Sequence, residues 1–184
     1  MPFVSRAGQK LDHALTTFNL DVTGRTCADL GSNVGGFVDC LLRRGAAKVY
    51  AVDTGYGTLD WKLRNDPRVV VMERTNAMHV ELPESVSLVT IDVAWTKQRL
   101  ILPPARRLMA PDGDVITLIK PHYEADAPLL RKGVLPAENL DAVIEKVKYD
   151  VAHAGFDLRR TVRSPIKGTG GNVELLAWLT QSPA

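Results

Sequence analysis

The sequence predicts an α/β fold: a mostly parallel, Rossmann-like sheet of seven strands with helices on both faces and a C-terminal antiparallel hairpin. Three observations predict it. Apolar β-branched runs alternate with helical patterns along most of the 184 residues, a glycine turn joins the first strand to the first crossover helix, and the last two strand-like runs have no helix between them. Parallel strands need crossovers, and crossover helices cover both faces of the sheet. Strands joined without a helix pair antiparallel.

The elements follow in order. Residues 5–18 read as a helix ahead of the sheet, and Thr26-Cys27-Ala28 as a short buried strand. Phe37, Val38, Leu41 and Leu42 then mark a helix over 36–44. Lys48–Val52 is a strand ending at Asp53, Val69–Met72 another, and Val86–Ile91 a third that ends at Asp92. Val115–Ile119 runs into Lys120-Pro121. Helices are expected over 97–109 and 138–154, the second with Leu140, Val143, Ile144, Val147 and Val151 at helical spacing. Leu158–Val162 and Val173–Leu179, joined through Pro165 and Gly168, Gly170 and Gly171, form the hairpin. No linker divides the chain, so a single domain over 1–184 is expected, its core at 25–179.

Bulk properties exclude several classes. No apolar run is long enough to span a bilayer, and the N-terminus has no signal-peptide core. A soluble, cytoplasmic protein without a membrane partner is expected. Cys27 and Cys40 are the only cysteines, with no His or Cys nearby at ligand spacing. They read as small core residues in a reducing compartment, with no metal site. A net charge of +2 excludes a strongly acidic protein that phosphates would repel, and the clusters around Arg43, Arg106, Arg131 and Arg159 permit a basic face.

In open α/β sheets ligands lie beyond the carboxyl ends of the strands. The spacing puts Asp29 and Gly31 after the first strand, Asp53 after the second, Asn76 after the third, Asp92 after the fourth and Lys120 after the fifth. Asp53 is placed to accept bonds from the ribose hydroxyls of a nucleoside cofactor, or to cap a loop. Asn76 could meet an adenine edge or act as a cap. Lys120 could pair with Asp92 on the neighbouring strand, and Lys10 and Glu174 are two further charges that could converge there. The run Asp29-Leu30-Gly31-Ser32-Asn33-Val34-Gly35-Gly36-Phe37 does not fit the dinucleotide fingerprint of three spaced glycines. It resembles the cofactor loop of S-adenosylmethionine-dependent methyltransferases, although a tight turn without a ligand would also use Gly35-Gly36.

Longer motifs sharpen this resemblance. Ser5-Arg6-Ala7-Gly8-Gln9-Lys10-Leu11, Val52-Asp53-Thr54-Gly55-Tyr56-Gly57, Trp61-Lys62-Leu63-Arg64, Glu73-Arg74-Thr75-Asn76, Ile91-Asp92-Val93, Ile119-Lys120-Pro121 and Gly171-Asn172-Val173-Glu174 occur in that order. The chain resembles, over nearly its whole length, the hemolysin A-like (TlyA) branch of the FtsJ/RrmJ-type ribosomal RNA ribose 2′-O-methyltransferases. The resemblance implies S-adenosylmethionine as cofactor and ribosomal RNA or a ribosomal subunit as partner. It implies a catalytic tetrad at Lys10, Asp92, Lys120 and Glu174. It also implies a cofactor site at Asp29, Gly31, Ser32, Gly35, Gly36, Phe37, Asp53, Asn76 and Asp92. Members of that branch carry an N-terminal S4-type RNA-binding domain, which this sequence lacks, so a separate RNA-binding partner could replace it. Ala7 stands where a glycine is usual, and Ala94-Trp95-Thr96 and His122-Tyr123 depart from the common Ser-Phe-Ile and Gln-Phe.

A sulfonium methyl is already electrophilic, so the expected work is alignment and removal of the 2′-hydroxyl proton. Lys120 is the expected base, steered by Asp92, with Glu174 orienting Lys10. The alternatives are a methyltransferase of a small molecule or protein, and a non-catalytic hemolysin-like binding module. A strongly basic amphipathic helix, which direct membrane activity would use, is absent from the sequence.

Overall fold

A computed structural model of the chain describes residues 2–183. Seven strands form one sheet in the order β3-β2-β1-β4-β5-β7-β6. They are β1 (Thr26–Leu30), β2 (Lys48–Val52), β3 (Val69–Met72), β4 (Val86–Ile91), β5 (Met109–Ile119), β6 (Phe156–Arg163) and β7 (Leu175–Gln181). The first five pair in parallel, and β7 alone runs against its neighbours β5 and β6. The expected hairpin therefore closes the sheet.

Three strands, β1, β5 and β6, are longer than the sequence suggests. Pairing of Asp29 and Leu30 with Ala51 and Val52 on one side and with Thr90 and Ile91 on the other keeps both residues in β1. Asp29 is thus a strand residue and does not follow the strand. β5 starts at Met109 because a register shift lets that residue pair with Val86 before regular pairing resumes at Asp114. Glu174 falls just before β7 instead of opening it.

The helices are α1 (Ala7–Phe18), α2 (Gly36–Arg43), α3 (Trp61–Arg64), α4 (Gln98–Leu108), α5 (Pro121–Glu124) and α6 (Leu140–His153). Both short ones, α3 and α5, have no counterpart in the sequence expectation. Apolar residues cover the two faces of the sheet separately. Leu11, Leu15, Phe37, Leu41, Ile116 and Leu176 pack α1 and α2 on one face, while Ile101, Leu102, Val147, Val151, Val89 and Leu179 pack α4 and α6 on the other. This burial supplies the main favourable term, about 25 cal/mol for each Å² removed from water. Cys27 and Cys40 lie inside the first cluster, and burial pushes both thiols up to about 12. They are inert core residues at neutral pH.

The packing of α1 on α2 matters for the site because α1 carries Lys10. A Cβ on Gly8 would sit 2.9 Å from the Gly36 carbonyl oxygen, and one on Gly36 would sit 2.8 Å from the Gly8 nitrogen. Bare backbone at both positions lets the two helices touch directly. Asp39 of α2 secures the approach by accepting from the Val4 N–H at 2.9 Å. Lys10 is thereby held against the carboxyl ends of the strands.

Candidate functional site

Two adjoining clefts open at the carboxyl ends of the strands and share Gly31, Asn33, Asp92 and Ala94. The first, of about 470 Å³, is lined by Lys10, Asp29, Ser32, Gly36, Phe37 and Lys120, together with Glu174 and the 166–169 loop. The second, of about 370 Å³, is lined by Asp53, Thr54, Asn76, Met78, Trp95 and Ile101, among others.

Four charges converge in the first cleft. Lys10 Nζ lies 2.5 Å from Glu174 Oε2, and Lys120 Nζ lies 2.6 Å from Asp92 Oδ1. Lys120 Nζ also donates to the Val93 carbonyl at 3.1 Å. An ammonium has three N–H bonds, so one direction at Nζ is left for another partner. The topology explains the meeting. Asp92 and Lys120 follow the neighbouring parallel strands β4 and β5, whereas α1 and the start of β7 bring Lys10 and Glu174 from opposite ends of the sequence. Gly168 has no side chain where the Glu174 carboxylate lies against it.

The glycine turn shapes the boundary between the clefts. Gly31 has φ +89°, and a Cβ there would come within 2.5 Å of the Asp92 carbonyl oxygen. Only glycine fits so close a backbone approach. Asp53 fastens the turn from the neighbouring strand: Oδ2 accepts from Asn33 N–H at 2.9 Å and Oδ1 from Gly55 N–H at 2.7 Å. Each oxygen keeps a further lone pair for a ligand. The Asn76 side chain accepts from Met78 N–H at 2.9 Å, so it caps the local turn while also lining the cleft.

Asp29 is the least satisfied group in the site. It is buried, its Oδ1 accepts from the Thr90 hydroxyl at 2.7 Å, and its Oδ2 has no hydrogen-bond partner. Burial pushes its carboxyl up to about 7, the Thr90 bond opposes this, and the Asp92 and Asp53 charges add to it. A buried orphan oxygen beside a bare backbone cradle, with Asp53 nearby, fits a nucleoside cofactor that carries positive charge.

Gly35 stands apart from the other expected cofactor residues in lining neither cleft. Its φ is +100°, and a Cβ there would meet Leu59 Cδ1 at 2.8 Å, so this glycine serves the turn and its packing. Conversely, Arg6 and Lys167 line the first cleft and were not among the expected site residues. Both lie inside or beside the motifs that carry the resemblance, which was the available signal. Trp95 is 81% exposed with φ 61°, and its ring lies tilted against Tyr123 with centroids 4.7 Å apart. Tyr123 in turn lies under Lys120 Nζ at 5.9 Å, and the buried His122 ring packs against it at 4.1 Å. Burial lowers the affinity of His122 for a proton, with Glu174 opposing and Lys120 reinforcing that effect. Three of the residues that depart from the common motif thus form one aromatic rim beside the tetrad positions.

Comparison with known proteins shows a family and several relatives. The model of the FtsJ-like methyltransferase family matches residues 3–181. A Bacillus subtilis protein, YqxC, is 41% identical over 96% of this chain and 65% of its own length. The 16S/23S rRNA (cytidine-2′-O)-methyltransferase TlyA of Mycobacterium tuberculosis is 40% identical over 96% of this chain and 68% of its own. A solved Streptococcus thermophilus structure, described as a hemolysin, superposes with a TM-score of 0.96 at 37% identity and covers all of this chain and 69% of that one. The chain therefore spans about two thirds of the length of these relatives. Among the described residues, no helix is long and apolar enough to cross a membrane.

Proposed function

The chain belongs to the FtsJ-like methyltransferase family, and from that premise we propose that it transfers a methyl group from S-adenosylmethionine to a ribose 2′-hydroxyl of ribosomal RNA. One observation carries the reading: the pairs Lys10–Glu174 and Asp92–Lys120 converge in a cleft that adjoins an acid-lined nucleoside-sized pocket. The rRNA methyltransferase name of the Mycobacterium tuberculosis relative supports ribosomal RNA as the acceptor.

Asp29, Gly31, Ser32, Asp53 and Asn76 are the residues that would hold the cofactor. When bound, S-adenosylmethionine supplies an electrophilic sulfonium methyl. The protein has then to place the 2′-oxygen and take its proton. Placement alone can contribute on the order of 7–11 kcal/mol in favourable cases. Lys120 takes the proton at Nζ, whose remaining direction is open once Asp92 and the Val93 carbonyl have fixed the other two. It must enter the step neutral, so the ammonium of the resting ion pair with Asp92 first passes one proton to solvent, and the amine then takes the 2′-hydroxyl proton in its place. A positioned base is worth about 10²–10⁴-fold. Lys10, held by Glu174, places a second ammonium where negative charge grows on the 2′-oxygen.

Within this reading the chain acts as a single methyltransferase domain in the cytoplasm, where ribosomal subunits are. A separate RNA-binding partner or segment would add affinity for the subunit. The test is incubation of the protein with tritiated cofactor and ribosomal subunits, followed by separate counting of RNA and protein. Label is expected in RNA and, after nuclease digestion, in 2′-O-methylated nucleosides. Label confined to protein, or carried on the bases, would overturn the proposal.

A further inference from the structure

The stretch from Ala125 to Asn139 contributes no buried residue, yet it is held in place by a buried side chain from elsewhere. Arg131 and Val134 close a tight hairpin with reciprocal backbone bonds of 2.9 and 3.0 Å. Its tip, Lys132 and Gly133, has φ values of 50° and 78°, the paired left-handed geometry of a rigid two-residue turn. Asn172, only 3% exposed, commits its whole carboxamide to this hairpin and the adjoining loop. Oδ1 accepts from Leu135 N–H at 3.0 Å, and Nδ2 donates to the Gly133 carbonyl at 3.1 Å and the Thr169 carbonyl at 2.9 Å. A Cβ on Gly170 would reach Val134 at 3.3 Å, so the hairpin rests directly on the glycine loop.

Thr169 and Gly168 form part of the wall of the first cleft, and Glu174 lies two residues beyond Asn172. The amide therefore fixes the hairpin to the rim beside the four converging charges. Such a hold adds no apolar burial, so core stability does not explain it. The charges at the tip differ. Arg131 pairs with Glu138 at 3.2 Å, whereas Lys132 is exposed and has no hydrogen-bond or ion-pair partner among the described residues. A rigid turn that presents one unpaired cation, on a hairpin tied to the loop that helps wall the cleft, suits an anionic strand.

We propose that the Arg131–Val134 hairpin is an RNA-contact element, in which Lys132 binds a backbone phosphate of the strand entering the cleft and Asn172 is the positioning residue. This rests on the RNA reading above. Neutralising one phosphate contributes about 0.7–0.9 to the slope of log affinity against log salt, equivalent to about five- to eight-fold in affinity at 0.1 M salt.

The test is the binding of ribosomal RNA by the full chain across a salt series, with cofactor affinity measured in parallel by calorimetry. Lys132→Ala should lower the slope by about 0.7–0.9 and leave cofactor affinity unchanged, and Lys132→Arg should restore the slope. Asn172→Ala should lower the slope by the same amount, and the double variant should show no further loss, because both changes remove one contact. Should Asn172→Ala fail to fold, Asn172→Asp replaces it, keeping the acceptor for Leu135 while losing both donated bonds. A wild-type slope in Lys132→Ala, or additive losses in the double variant, would overturn the assignment. Wild-type protein that neither binds nor methylates RNA would sink the RNA reading itself, a result distinguishable from a change confined to the hairpin variants.

Discussion

The two clefts differ in charge. The wall of the smaller one carries Asp53 and Asp92 and no Lys or Arg, whereas that of the larger carries Arg6, Lys10, Lys120 and Lys167 against Asp29, Asp92 and Glu174. In the proposed reading a cationic cofactor would span both walls, from Asp29 and Ser32 in the larger cleft to Asp53 and Asn76 in the smaller, and an anionic acceptor would meet the lysines of the larger. The difference teaches that cations are confined to the larger cleft, where Lys10 and Lys120 are each paired with an acid, while Asp29 and Ser32 bring the glycine turn into that same wall. Asp92 belongs to both walls and pairs with Lys120, so it is the hinge between the two halves.

Breaking the acceptor half alone should have the largest effect. Glu174→Gln removes the carboxylate from Lys10 without touching the glycine turn, and methyl transfer should fall by about 100-fold or more, with cofactor affinity nearly unchanged by calorimetry. A matching loss of cofactor binding would show that the halves are not separate. Gly31→Ala attacks the boundary between them. Its Cβ meets the Asp92 carbonyl at a positive φ, and chemical denaturation should show a loss of about 1–3 kcal/mol.

Asp53→Ala addresses the cofactor half. It frees the N–H groups of Asn33 and Gly55, and cofactor affinity should drop by about tenfold, or 1.4 kcal/mol. Transfer at saturating cofactor should change much less. The last effect concerns pH. Asp29 has its folded value raised to about 7, against about 3.9 in an unfolded chain. Its contribution is fully present below the unfolded value and is lost as pH rises through the folded one, because the unfolded chain releases the proton first. The melting temperature of the cofactor-free protein should therefore decline between about pH 4 and 7 through this group. Asp29→Asn should flatten part of that decline, and a parallel curve for the variant would remove Asp29 as its source.

β2, β3, β4 and the second half of β5 were legible because each is an apolar run rich in β-branched residues and bounded by a charge or a turn, and their ends located Asp53, Asp92 and Lys120. Legibility failed where a neighbour decides the outcome. Asp29 stays in β1 because strands on both sides pair with it. Gly35 has the spacing of a ligand contact, and the side chains of Leu63 and Leu59 fill the space beside it, which no spacing rule anticipates. The hairpin at Lys132 depends on Asn172, thirty-nine residues away from Gly133, so no local pattern announces it. The Lys10–Glu174 pair spans 164 positions: the sequence offered both as charges that could converge, and only resemblance to a family joined them with Asp92 and Lys120 into a tetrad.

The division of labour between the halves is tested most directly by Lys120→Ala, with cofactor affinity and single-turnover methyl transfer to ribosomal subunits measured on the same preparation. The account predicts a transfer rate lower by at least about 100-fold and a cofactor affinity within about threefold of wild type, a difference below 1 kcal/mol. A transfer rate within a few-fold of wild type in the folded variant, or a collapse of cofactor binding alongside transfer, would contradict it.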